Sequence, residues 1–128
     1  MSNQRLLNWF EIPVTDLTRA TQFYQQLLDT TLRSETCGPA QLAVFEYAEP
    51  NTGGCLYYHP EHQPQHSQSA GGVLIYLNCA AGIDSVLARL ENLGGAILTP
   101  KTTLPDNMGY FAVMRDSEGN AVGLHSAT

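Results

Sequence analysis

The chain runs through one pattern of elements twice, and that repeat limits its possible folds more than any single motif. Residues 7–14 alternate, with Phe10, Ile12 and Val14 on one face and Trp9, Glu11 and Pro13 on the other, which is the mark of a half-buried strand. Thr15 or Asp16 can cap a following helix, in which Leu17, Ala20, Phe23, Tyr24, Leu27 and Leu28 recur at helical spacing. Strands are predicted over 31–36 and 41–48, then a turn over PNTGG (50–54) and a short strand over 55–59. The unit reads β-α-β-β-β.

The same order then returns. Residues 73–79 make a strand; Ile83, Val86, Leu87 and Leu90 form a helical stripe closed by Gly94-Gly95, a good C-terminal stop. Strands over 96–99 and 110–115 follow, then the tight reversal DSEGN (116–120) and a last strand ending in Gly123-Leu124-His125. In this repeat Trp9 corresponds to Leu74, and His59 to His125. Residues 5–59 and 71–127 are therefore read as two modules of a single domain, with the polar, aperiodic stretch 60–70 as linker. Each helix must cover one face of its own sheet. The expected fold class is α+β, two βαβββ modules joined into a concave, barrel-like mixed sheet with helices outside. Side chains facing the hollow are then the candidates for function.

Composition narrows the partners. A formal charge of −6 argues against nucleic acid and anionic membrane, because phosphate binding is dominated by Lys and Arg. No apolar run approaches the roughly 18–20 residues that span a bilayer. The start, MSNQRLLNWFEI, lacks a secretory h-region, and three cysteines without metal-type spacing suit reduced thiols, so a cytoplasmic location is expected. Open sheet edges favour pairing, and a homodimer is expected.

The stretches FEIPVTDLTRATQFYQQLL, YLNCAAGIDSVLARLENLGG and GYFAVMRDSEGNAVGLHS resemble the vicinal oxygen chelate superfamily, the glyoxalase I, bleomycin-resistance and extradiol dioxygenase group. The resemblance spans nearly the whole chain and implies paired βαβββ modules. Metal-dependent members hold a divalent ion with four His, Gln or Glu side chains. Carried over, those positions are Trp9, Tyr57, Leu74 and Gly123, none of them a good ligand for such an ion. The resemblance therefore implies no metal quartet here, no cofactor, and neither true glyoxalase I nor metal-dependent dioxygenase chemistry. Trp9, Tyr57 and Leu74 become wall, and Gly123 leaves space, which suits an organic ligand.

Two residues along a strand is the same face, so one rung further the set becomes Glu11, His59, Tyr76 and His125, about 7 Å from the first ring by strand rise. Glu11 is the candidate general base, His125 the proton donor or shuttle, and Tyr76 an orienting donor to a carbonyl. His59, Asn78 and Lys101 complete the candidate ligand contacts. A divalent ion displaced onto two histidines and a carboxylate is the remaining metal reading. His59, His62 and His66 are interrupted by Pro60 and Pro64 and read as loop histidines. Residues 105–109 (PDNMG) read as a lid or an ordinary loop. Cys37 reads as inert, and Cys55 and Cys79 as structural. Two functions remain open: proton transfer on a small carbonyl compound, of isomerase or lyase type, and sequestration or sensing of a small molecule without turnover.

Overall fold

The computed structural model describes residues 6–62 and 72–128. These divide into two compact units, one with the first four strands and most of the first helix, the other with the remaining elements. The linker prediction falls largely outside the described residues, as does His66.

In the first unit β1 (Trp9–Pro13) leads into α1 (Leu17–Leu28), followed by β2 (Leu32–Cys37), β3 (Ala40–Phe45) and β4 (Gly53–Tyr58). Asp16 is the cap: its backbone is extended and its Oδ1 accepts from Arg19 N at 3.0 Å, satisfying one of the helix's free donors. The sheet order is β1-β4-β3-β2, with β1 and β4 parallel and the other pairs antiparallel. Alternation sends Ile12, Leu56, Ala43, Phe45 and Leu32 to one face, where they are buried. The helix packs there, Tyr24 meeting Phe45 edge-on with centroids 5.6 Å apart. The opposite face carries Trp9, Glu11 and Pro13 beside Gly53, Cys55 and Tyr57, because those strands are paired in that register.

The second unit repeats the plan with β5 (Tyr76–Asn78), α2 (Ile83–Leu90), β6 (Ala96–Thr103), β7 (Tyr110–Arg115) and β8 (Ala121–Ser126), in the order β5-β8-β7-β6. Ile83, Val86 and Leu90 are buried on the face that holds Leu77, Leu124, Val122 and Met114. Gly94, at φ 97, stops the helical segment in the left-handed region that glycine enters without strain. β5 is shorter than predicted, while β6 runs past Pro100 instead of stopping at Thr99. Proline is tolerated in β6 because that strand is a sheet edge, and its register with β7 shifts between Thr99 and Thr102.

The DSEGN reversal is built around a buried carboxylate. Asp116 Oδ1 accepts from Glu118 N at 2.8 Å and Asn120 N at 2.9 Å, and Oδ2 from Asn120 Nδ2 at 3.2 Å. That side chain supplies the acceptors the turning backbone lacks, and so fixes where β8 begins.

Candidate functional site

In each unit the helix leaves one sheet face uncovered, and most of the sequence-derived candidates divide between those two faces. In the first unit Trp9 and Tyr47 meet edge to face, centroids 5.8 Å apart, and are 37% and 41% exposed. Gly53, opposite Trp9, allows this: an added Cβ would stand 2.5 Å from Tyr47's ring carbons. Glu11, exposed, comes next on the same face and accepts a long contact of 3.9 Å from the thiol of Cys55. Cys55 is fully buried. Burial first, then the Glu11 charge, push its thiol up to about 11, with the hydrogen bond to Glu11 adding and that from Trp9 opposing. That thiol is protonated and unreactive at neutral pH.

The strand register changes the expected rungs. Trp9 lies opposite Gly53 and Glu11 opposite Cys55, whereas Tyr57 lies opposite Pro13. Glu11 and His59 are thus not on one level; His59 is four residues, roughly 13 Å, beyond Glu11's partner. His59 stands at the end of β4, stacked on His62 at 4.0 Å, and its Nδ1 accepts from Glu61 N at 3.0 Å.

In the second unit Tyr76 lies opposite Gly123 and Asn78 opposite His125. The space at Gly123 is not empty. Tyr76's ring lies across it, where an added Cβ would overlap the ring, and meets Phe111 edge-on at 6.2 Å. Leu74 precedes β5 and is exposed. His125 is half-buried, and its Nε2 is 2.7 Å from the carbonyl of Met108; since a carbonyl only accepts, Nε2 carries the proton and donates. Lys101 faces the other way. Its Nζ is 3.1 Å from Asp84 Oδ2 in the first turn of α2 and 4.4 Å above Tyr110's ring, so it belongs to the helix-covered face and not to the candidate site.

Two shallow depressions of about 280 and 230 Å³ lie in the first unit. The larger, beside Leu17, Glu35 and Gln41, is bordered by none of the predicted site residues. The smaller is bordered by Arg33, Val44, Glu46 and Tyr47. Tyr47 falls inside the strand predicted over 41–48, although β3 ends at Phe45; it was missed because the wall candidates were drawn only from the first and last strand of each module.

Two modules of this topology, each with one uncovered face, define a glyoxalase-type fold. The chain belongs to the Glyoxalase/Bleomycin resistance protein/Dioxygenase superfamily, whose model matches residues 6–124. Solved structures agree on the fold. A glyoxylase/bleomycin resistance protein/dioxygenase domain from Frankia is similar at 18% identity and TM-score 0.73, over 98% of this chain and 93% of that one. Glyoxalase I of Leishmania major, described as trypanothione-dependent, is similar at 19% identity and TM-score 0.71, over 97% and 88%. TnmS3, an antibiotic binding protein from a Streptomyces species, is similar at 22% identity and TM-score 0.67, over the whole of both chains. No curated protein matches the sequence.

The positions that the family resemblance assigns to a divalent ion do not fit one. Trp9, Tyr57, Leu74 and Gly123 offer an indole, a phenol, an isobutyl group and no side chain, with no imidazole or carboxylate among them. At Gly123 the space a ligating side chain would need is filled by Tyr76's ring.

Proposed function

We propose that the protein binds a planar, largely apolar organic molecule on aromatic side chains of its helix-free faces, and that binding rather than turnover is its function. The observation that carries this is the Trp9–Tyr47 pair: two large rings, each more than a third exposed, held edge to face with the Glu11 carboxylate next on the same surface. Exposed aromatic rings offer a ligand stacking worth about 0.5–1.5 kcal/mol each beyond the area covered. The depression beside Tyr47 extends that surface toward Glu46 and Arg33, and Glu11 with a net charge of −6 favours a cationic or neutral ligand over an anionic one. The antibiotic-binding relative supports the same direction. The acid–base alternative keeps Glu11 as base, but its proposed acid, His125, already spends Nε2 on the Met108 carbonyl. A cytoplasmic homodimer without nucleic-acid contacts remains part of the proposal, resting on composition and on the open edges of both sheets.

Trp9 is the chain's one tryptophan, so its fluorescence reports directly on the proposed surface. Titration with planar aromatic compounds, cationic and neutral, is expected to give saturable quenching, weakened about 2- to 10-fold in Tyr47→Ala. Absence of quenching across the panel would refute the assignment. A chemically altered ligand, with turnover abolished by Glu11→Gln, would establish the acid–base enzyme instead.

A further inference from the structure

The segment joining β6 to β7 is held by hydrogen bonds within it and by contacts to β8. Leu104 N donates to Gly109 O at 2.8 Å, closing the neck, and Met108 N donates to Pro105 O at 3.1 Å within it. Asp106 and Asn107 both sit at φ 57, a pair of left-handed residues that makes the bend sharp. Two contacts then fasten the loop to β8. Gly109, at φ 93, lies so close to that strand that an added Cβ would overlap the carbonyl oxygen of Ser126. One residue earlier on β8, His125 reaches from the helix-free face and donates Nε2–H to Met108 O at 2.7 Å. His125 lies opposite Phe111, which meets Tyr76 edge-on, so the Met108 backbone is drawn to the end of the aromatic surface of this unit. Met108 is 59% exposed. A half-buried imidazole that fixes a backbone carbonyl while the side chain beside it stays free is a device for placing that side chain.

We propose that His125 is a positioning residue, and that it places Met108 as a specificity-determining contact for an aromatic ligand bound against Tyr76 and Phe111 on the helix-free face of this unit. The ligand part rests on the binding function proposed above; the clamp itself does not. A thioether is polarizable and unbranched, and packs against the edge of a ring with little demand on ring shape, so it selects for flat, extended molecules over compact ones. Neither residue does chemistry in this arrangement. His125 acts on the ligand only through the loop.

The test uses the full chain and has two readouts. Amide hydrogen exchange by NMR follows Leu104 and Met108, whose N–H groups are bonded inside the loop. His125→Ala is expected to speed both by about 5- to 10-fold, the worth of one hydrogen bond, while His125→Gln, which keeps an N–H donor, restores protection. Global melting temperature serves as the control and is expected to stay within a few degrees. The second readout is the affinity of proflavine, a planar cationic acridine. Met108→Ala and His125→Ala are each expected to weaken it about 2- to 10-fold, and the double variant no more than the larger single loss. Unchanged exchange in His125→Ala, or additive losses in the double variant, would overturn the proposal. Failure of proflavine to bind the unaltered chain counts against the binding function, and the clamp is then decided by the exchange rates alone.

Discussion

Replacing Gly123 with alanine separates a surface built around a filled glycine from one with an open slot. Gly123 has no left-handed φ, so alanine is acceptable to its backbone and should by itself stabilise the fold by about 0.4–1 kcal/mol through the unfolded chain. In place, the new methyl group must displace the ring of Tyr76. That ring is on an edge strand and 51% exposed, so it can swing out rather than distort the sheet. The cost is the edge-on contact with Phe111, about 0.5–1.5 kcal/mol. To this is added the shielded half of the ring, roughly 100 Å² at about 25 cal/mol per Å², of which the displaced ring recovers part elsewhere. The net expectation is a loss of about 1–2 kcal/mol, or a fall in melting temperature of roughly 3–8 °C. In a Tyr76→Ala background the obstacle is gone and the sign should reverse, Gly123→Ala now stabilising by about 0.4–1 kcal/mol. Urea and thermal denaturation of the four proteins in the cycle measure the coupling directly. Equal effects of Gly123→Ala in both backgrounds would show that Tyr76 does not fill this position, and the account of the second face would fail.

Four further outcomes are expected. Asp116→Ala removes three hydrogen bonds from a buried turn and should cost about 2–4 kcal/mol in urea denaturation, with Asp116→Asn retaining much of the stability because one acceptor oxygen remains. Of the three cysteines, Cys37 is exposed and Cys55 and Cys79 are buried, so a thiol reagent at pH 8 should label one site rapidly in the native chain and all three after denaturation. Because the Cys55 thiol is raised from 9.0 to about 11, its contribution is complete below pH 9 and is lost as pH rises through 11; Cys55→Ala should flatten that alkaline decline in melting temperature. Lys101→Met breaks an exposed ion pair and should change stability by at most about 1 kcal/mol while leaving ligand affinity unaltered, which a titration of the variant checks.

The fold was legible because its signals are local. Alternation in residues 7–14, the helical stripes and the capping Asp16 each reflect a constraint acting within a few residues, and tertiary packing did not override them. The site was less legible because it depends on register, which is set between strands far apart in sequence. Glu11 and Tyr76 are equivalent in the repeat, yet Glu11 pairs with Cys55 and Tyr76 with Gly123. Cys55, not Tyr57, is therefore the counterpart of Gly123. Read from sequence, the final strands of the two modules fall two residues out of step with this pairing. The segments before those strands are tied differently: Asp116 fixes the start of β8 through its own side chain, whereas in PNTGG Asn51 N donates to Ala48 O at 2.9 Å and Thr52 Oγ1 to Leu7 O at 2.7 Å. A two-residue error preserves which face a side chain points to but moves it a full rung. That is why Glu11, Tyr76 and His125 stand on the expected faces while the levels proposed for them do not hold. It also explains the missed contacts. Glycine at Gly123 seemed to mark vacancy, but Gly53 and Gly123 are both places where an aromatic ring lies against backbone, so in each module glycine opposite β1 or β5 makes the helix-free surface flat and aromatic rather than hollow.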